Sequence, residues 1–539
     1  MSFHYLPKLL ILLFLAVLNG AAQATVWVAD KGDGNYKNPI LHADYSDPDA
    51  IRVGDDFYLV ASSFNVAPGL PILHSKDLVN WEIIGHVYQQ QPPVEHFAKV
   101  RHGGGSWAPA LRYHNGEFYL YYPDPDFGIY LTKAKNAAGP WSEPVLIKKA
   151  KGWIDPAPFW DEDGQAYLIS AFAGSRSGVK SILLISRMSA NGEKLLDDGA
   201  IVFDGHDQDP TVEGPKFYKR KGYYYIFAPA GGVATGWQLV LRAKAIYGPY
   251  ERKVVLAQGK TSINGPHQGA WVETQTGESW FLHFQDKEAF GRVVHLQPMK
   301  WVNDWPQIGV DPNGDGVGEP VLQYRKPNVG KIYPIVTPPD SDEFNAPRLG
   351  WQWQWQANPQ SVWALPAGSY GFLRLYCAPL PEDFANFGDV PNLLLQKFPA
   401  PRFSATTKVT FTPRSVGEKT GLLVMGLDYA YLAVTKRDNG LFASLAKGLE
   451  VEKRNAEQEI IRDVPISANT FYLRVSVDEK ALCQFSLSED GLKFRPIGTP
   501  FQAKPGRWIG TKVGIFAVRP EKRSGETGYA DFDWFRVSE

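Results

Sequence analysis

Apolar stretches alternate with polar positions at the two-residue period of half-buried strands, and turn dipeptides interrupt them at short intervals. Five segments repeat one pattern: a polar or aromatic head next to a proline or glycine, an apolar stretch, a tight turn, then an aromatic-rich strand. They occupy 47–59, 107–120, 155–168, 213–226 and 267–282, turning at Gly54-Asp55, Asn115-Gly116, Asp163-Gly164, Lys221-Gly222 and Thr276-Gly277. Asn-Gly and Asp-Gly between alternating runs are strong hairpin signals. The heads recur about every 50–60 residues, the spacing of radially repeated β units. Five four-stranded blades closed into a ring are therefore predicted, with no long helix.

Beyond Trp305 the texture changes. Residues 326–345 read as a Pro-rich linker, and 346–539 as a second all-β domain, a sandwich. In that domain Trp351, Trp353 and Trp355 alternate with glutamines, which predicts three indoles on one strand face. Asp311-Pro-Asn313-Gly-Asp315-Gly resembles the start of a calcium loop. Its twelfth position is Leu322 rather than Glu, so the segment reads as an Asp/Gly turn. Ser488-Glu-Asp490-Gly491 resembles a sialidase Asp-box, but one copy without an arginine triad reads as a hairpin turn.

Residues 1–24 carry Lys8, an apolar run over 9–18 and Ala22-Gln23-Ala24, the pattern of a secretory signal peptide. The run is too short to span a bilayer. The expectation is a secreted protein, periplasmic or extracellular, with no membrane insertion after cleavage. The propeller then occupies 25–325.

Composition narrows the function. The 56 Lys+Arg and 57 Asp+Glu nearly cancel, so nothing favours a nucleic-acid partner. Two cysteines, Cys377 and Cys483, exclude a disulfide scaffold, and pairing of the two stays open. Aromatic residues at 13% suit β cores and sugar stacking equally.

In a propeller the head of each repeat points into one shared funnel. Three of the five heads are acids, Asp47, Asp155 and Glu213, and a fourth is His267. Asp or Glu before Pro or Gly is often only a turn former. That explains one or two of them, but not three at equivalent positions. Acetal cleavage needs a proton for the departing oxygen and an activated attacking group, tasks that suit carboxyls with divergent pKa values. A third carboxylate would keep the acid protonated by like-charge repulsion.

The residues themselves are familiar in combination. Asn38-Pro-Ile-Leu, Tyr45-Ser-Asp47-Pro-Asp, Val53-Gly-Asp-Asp-Phe-Tyr and His74-Ser-Lys-Asp-Leu-Val-Asn-Trp81 resemble glycoside hydrolase family 43. So do Ser106-Trp-Ala-Pro109, Ile154-Asp-Pro156, Val212-Glu-Gly-Pro215 and Gly265-Pro-His-Gln-Gly269. The second domain resembles the concanavalin-A-like β-sandwich of β-xylosidase-type members. The resemblance implies that Asp47 is the general base, Glu213 the general acid and Asp155 the modulator that orients the acid and raises its pKa, with inversion at the anomeric carbon. It further implies that Phe64 and Trp107 line the terminal-sugar pocket, that Arg292 hydrogen-bonds sugar hydroxyls, and that His267 is the axial histidine, which in several members holds calcium through water. The chemistry itself calls for no cofactor. One departure is Ser46, where many β-xylosidases of the family have proline. The segments 45–49 and 228–232 look closest to arabinofuranosidases acting on arabinosylated xyloglucan or xylan. The expected activity is exo-acting release of α-L-arabinofuranose from plant cell-wall oligo- or polysaccharides, with β-xylosidase or dual activity as the alternative. Two other classes stay in view: a non-catalytic sugar-binding propeller, which has no need of the acid trio, and a retaining fructan hydrolase, which uses an Asp nucleophile.

Overall fold

Each of the five repeats forms one four-stranded antiparallel sheet, strands in sequence order. The computed structural model describes residues 25–520 and 525–539; the expected signal peptide lies outside the described residues. Blades I to V span 49–88, 110–149, 153–204, 216–257 and 267–308. The hairpin signals act as predicted. Gly54, Gly116, Gly164, Gly222 and Gly277 all take positive φ between 63° and 86°. At Asn115-Gly116 and Lys221-Gly222 both turn residues are left-handed, which matches the strand twist of a two-residue hairpin.

The first strand of each blade lies nearest the axis. Blade I touches blades II and V through these strands, and blade III touches II and IV. The ring is closed by its ends: strand Asn35–Lys37 pairs antiparallel with Gln323–Arg325. Asn38 clasps the closure. Its amide donates to the carbonyls of Leu296 and Val321, both at 2.8 Å, and its oxygen accepts from Leu296 N–H at 2.9 Å. A buried amide with its partners supplied is stabilising, whereas one without them costs about 1–3 kcal/mol.

The C-terminal domain is a sandwich of two eight-stranded sheets. Alternation along Thr470–Val477 buries Phe471, Leu473, Val475 and Val477 in its core. Cys377 and Cys483 are both free thiols in that core. Only one four-residue α-helix, Gly174–Ser177, occurs among the described residues.

The tryptophan run does not form the single strand face expected. Only Gln354–Trp355 is strand, because the segment crosses between the domains and turns at Gly350. Trp351 lies near His86 of the propeller, Trp353 packs on Phe344 and Phe535, and Trp355 packs on Trp363. Backbone pairing of Trp355 with Ala67 then joins sandwich to blade I. Asn358 adds bonds to both backbone groups of Gln91, at 2.7 and 2.9 Å. On blade V, Thr511 N–H donates to Ala289 at 2.7 Å.

Candidate active site

The five heads converge at one end of the axis. Asp47, Trp107 and Glu213 precede the first strands of blades I, II and IV; His267 opens that of blade V, and Asp155 lies within that of blade III. In blades III and V the first strand slips register there, between Ile154 and Ala157 and between His267 and Gly269. Such bulges bend a strand and re-aim its side chains. Asp47 and Asp155 share one unusual backbone state, φ 54° at both. A left-handed, non-glycine backbone costs about 1–3 kcal/mol and is held only where surrounding structure fixes it. These residues line a pocket of about 490 Å³, mouth included, with Phe64, Arg292, Gln268 and Trp508 among its walls.

Asp47 is held on both oxygens. Ser46 and Ser62 hydroxyls donate to Oδ2 at 2.7 and 2.6 Å, and Arg292 Nη1 reaches Oδ1 at 3.1 Å. The same Nη1 donates to Ser46 Oγ at 2.8 Å, closing a small ring of contacts. Behind it, Asp44 accepts Arg292 N–H at 2.9 Å, and Phe284 lies 4.9 Å under the guanidinium. Asp47 is thus an acceptor with fixed direction, which suits a base.

Glu213 is placed differently. Its Oε1 pairs with His267 Nε2 at 2.8 Å, and its side chain keeps 23% exposure. Oε2 has no protein partner among the described residues, so one oxygen faces the pocket. Asp155 sits behind, accepting the N–H of Gly214 on Oδ2 at 2.7 Å. Burial, then the charge of Glu213, pushes Asp155 up to about 8, against the usual carboxylate range near 4. One proton is therefore retained by the Asp155–Glu213 pair at neutral pH. Lys216, buried and with no partner for its Nζ, is pulled down by desolvation.

The pocket gathers every residue singled out from the sequence: the three acids, Phe64, Trp107, Arg292 and His267. His267 lines the pocket beside Glu213. Nε2 is engaged by Glu213, buried Nδ1 has no partner, and no group of three His, Cys, Asp or Glu suited to a metal occurs among the described residues. Three features had not been read from the sequence. Trp508 reaches over from the sandwich, 6.3 Å from Trp107 and 5.9 Å from the Arg292 guanidinium. Nothing local in 503–512 marks it. The hydroxyl supports Ser46 and Ser62 are the others, and Ser46 was visible only as a missing proline.

The profile described as glycosyl hydrolases family 43 matches residues 36–306, and that described as the beta xylosidase C-terminal concanavalin A-like domain matches 341–538. A relative from Xylanibacter ruminicola, provisionally named a β-xylosidase, is 42% identical over 91% of this chain and 87% of its own. A non-reducing end α-L-arabinofuranosidase from Bacteroides ovatus is 30% identical over 97% of each. Among solved structures, xylan β-1,4-xylosidase from Bacillus halodurans superimposes with a TM-score of 0.82 at 27% identity, covering 93% of this chain and 100% of the other.

Proposed function

The chain belongs to glycosyl hydrolases family 43 and is a glycoside hydrolase, and from that premise we propose that it removes single terminal pentoses, with inversion, from hemicellulose side chains and chain ends. The observation that carries this reading is the meeting of a held acceptor, Asp47, and a half-free carboxyl, Glu213, in one pocket walled by Phe64, Trp107 and Trp508. Asp47 takes a proton from water as the water oxygen bonds to the anomeric carbon. Glu213 gives its proton to the glycosidic oxygen, which leaves as an alcohol. Asp155 accepts the Gly214 N–H beside Glu213 and so positions the acid. Arg292 orients Asp47 and offers its remaining N–H groups to sugar hydroxyls. Because a sandwich side chain closes the pocket, an end unit fits better than the middle of a polymer.

The substrate reading is α-L-arabinofuranoside, on the likeness of segments 45–49 and 228–232, with the name of the Bacteroides ovatus relative in support. A β-D-xyloside reading has its own support in the name of the 42% identical relative. Both sugars are pentoses of like size, and we assign both to this pocket. Export by way of residues 1–24 completes the reading. The test is product analysis on arabinoxylan, arabinosylated xyloglucan and xylobiose side by side, with NMR of the first-formed anomer. Arabinose and xylose of inverted configuration are expected. Initial retention would refute the base role of Asp47. Inactivity on all three substrates would refute the hydrolase assignment to pentosides. Asp47→Ala and Glu213→Ala should each lower turnover by roughly 10²–10⁴.

A further inference from the structure

A second cavity, of about 720 Å³ with its mouth, lies where the sandwich meets the propeller, among Tyr45, His86, Asp340, Gln354, Gln396 and Lys397. Lys397 ends one sandwich strand, and Lys512 begins the next. The two are directly opposed in register. Like charges at opposed positions of neighbouring strands repel. Here Lys512 is also buried, to 3% exposure, and Lys397 is partly buried. Both ammonium groups reach the same atom, Gln354 Oε1, at 3.4 Å each. Among the described residues it is the only hydrogen-bond acceptor of either, and no carboxylate lies within 4.0 Å of either nitrogen.

Two ammonium groups carry six donors, and one amide oxygen does not satisfy them. The acids nearby do not close the gap. Asp44 acts on both lysines at longer range, but it is taken by the backbone of Arg292. Asp340 accepts from Val26 N–H and Ser341 Oγ. Other groups register the same positive field: His86 is pushed down to about 3 by burial, then by Lys397 and Lys512, and its Nδ1 has no partner. Burial pulls both lysines down, and the charge of Lys397 pulls Lys512 further; a counter-charge between them would favour their charged form.

We propose that a small monovalent anion of the halide class binds between Lys397 and Lys512 and fastens the sandwich to the propeller. The anion supplies both the missing charge and the missing acceptor. It would also act on the catalytic pocket. Lys512 directly follows the segment that carries Trp508, and its neighbour Thr511 is already bonded to Ala289, three residues before Arg292. Fixing Lys512 fixes the base of the loop that presents the indole to the sugar.

The test is thermal melting of the mature full-length protein in sodium chloride, sodium bromide and sodium gluconate at equal ionic strength. Halides should raise Tm by about 2–4 °C over gluconate. In Lys512→Met and Lys397→Met that increment should vanish. In gluconate, Lys512→Met should melt at or above wild type, because an uncompensated buried charge is gone. Crystals grown with bromide should show an anomalous peak between the two Nζ atoms. Equal melting of wild type in all three salts would overturn the proposal, as would a halide increment that survives in both variants. The bromide peak needs no variant, so its absence overturns the site even if the substituted proteins fail to fold.

Discussion

Asp155→Asn separates the electrostatic role of this buried acid from its role as a structural acceptor. Asparagine keeps an oxygen for the Gly214 N–H but cannot ionise. The native carboxyl is held at about 8 against 3.8 for the unfolded chain. Below the unfolded value both states are protonated, and the native state bears no penalty. As pH rises from about 4 to 8 the unfolded state ionises while the native state retains its proton, so stability falls. The full difference, about four pH units, corresponds to at most about 6 kcal/mol, and the part between pH 5 and 8 to about 4 kcal/mol. Because the proton is shared with Glu213, the curve reports the pair rather than one residue. Melting curves of both proteins at pH 5 and pH 8 read this directly. The variant should gain on wild type as pH rises, by roughly 5–8 °C across that interval. Turnover should fall in the same variant, and the basic limb of its pH–rate profile should move to lower pH, since Glu213 has lost the neighbour with which it holds a proton. A Tm difference independent of pH would refute the assignment of the raised group to Asp155. An unmoved basic limb would refute the coupling to Glu213.

Other perturbations probe single contacts. Ser46→Ala removes one donor to Asp47 and the acceptor of Arg292 Nη1. Loss of such a bond is worth about 1.4 kcal/mol, so kcat/KM should fall about tenfold on nitrophenyl pentosides, with Tm little changed. An unchanged kcat/KM would show that Ser62 and Arg292 hold Asp47 alone. Trp508→Ala opens the pocket while removing an indole that is 44% exposed, so KM should rise about tenfold with Tm within a degree or two. If KM stays put, the sandwich does not wall the sugar site.

Much of the architecture was legible because the signals are local. A glycine forced left-handed at each of five hairpins, with alternation on either side, suffices to count blades. The acid trio was legible for a related reason: ring symmetry converts equal positions in a repeat into proximity in space. What escaped has no local signature. Trp508 lies 295 residues beyond Glu213 and reaches the pocket only through the packing of one domain on the other. The Trp351–Trp355 alternation misled because strand periodicity was read where the backbone passes between domains. Sequence reasoning placed the elevated pKa on Glu213 through its neighbour. The structure shows Asp155 itself raised, by burial and then by the charge of Glu213.

The clasp between Asn35–Lys37 and Gln323–Arg325 sets a timetable for the nascent chain. All three acids have been synthesised by residue 213, yet the clasp that fastens the ring cannot form until more than a hundred further residues have emerged. Only then can the first and last strands meet. A chain truncated just before residue 323 therefore carries all three acids but lacks the pairing that fastens its two ends together.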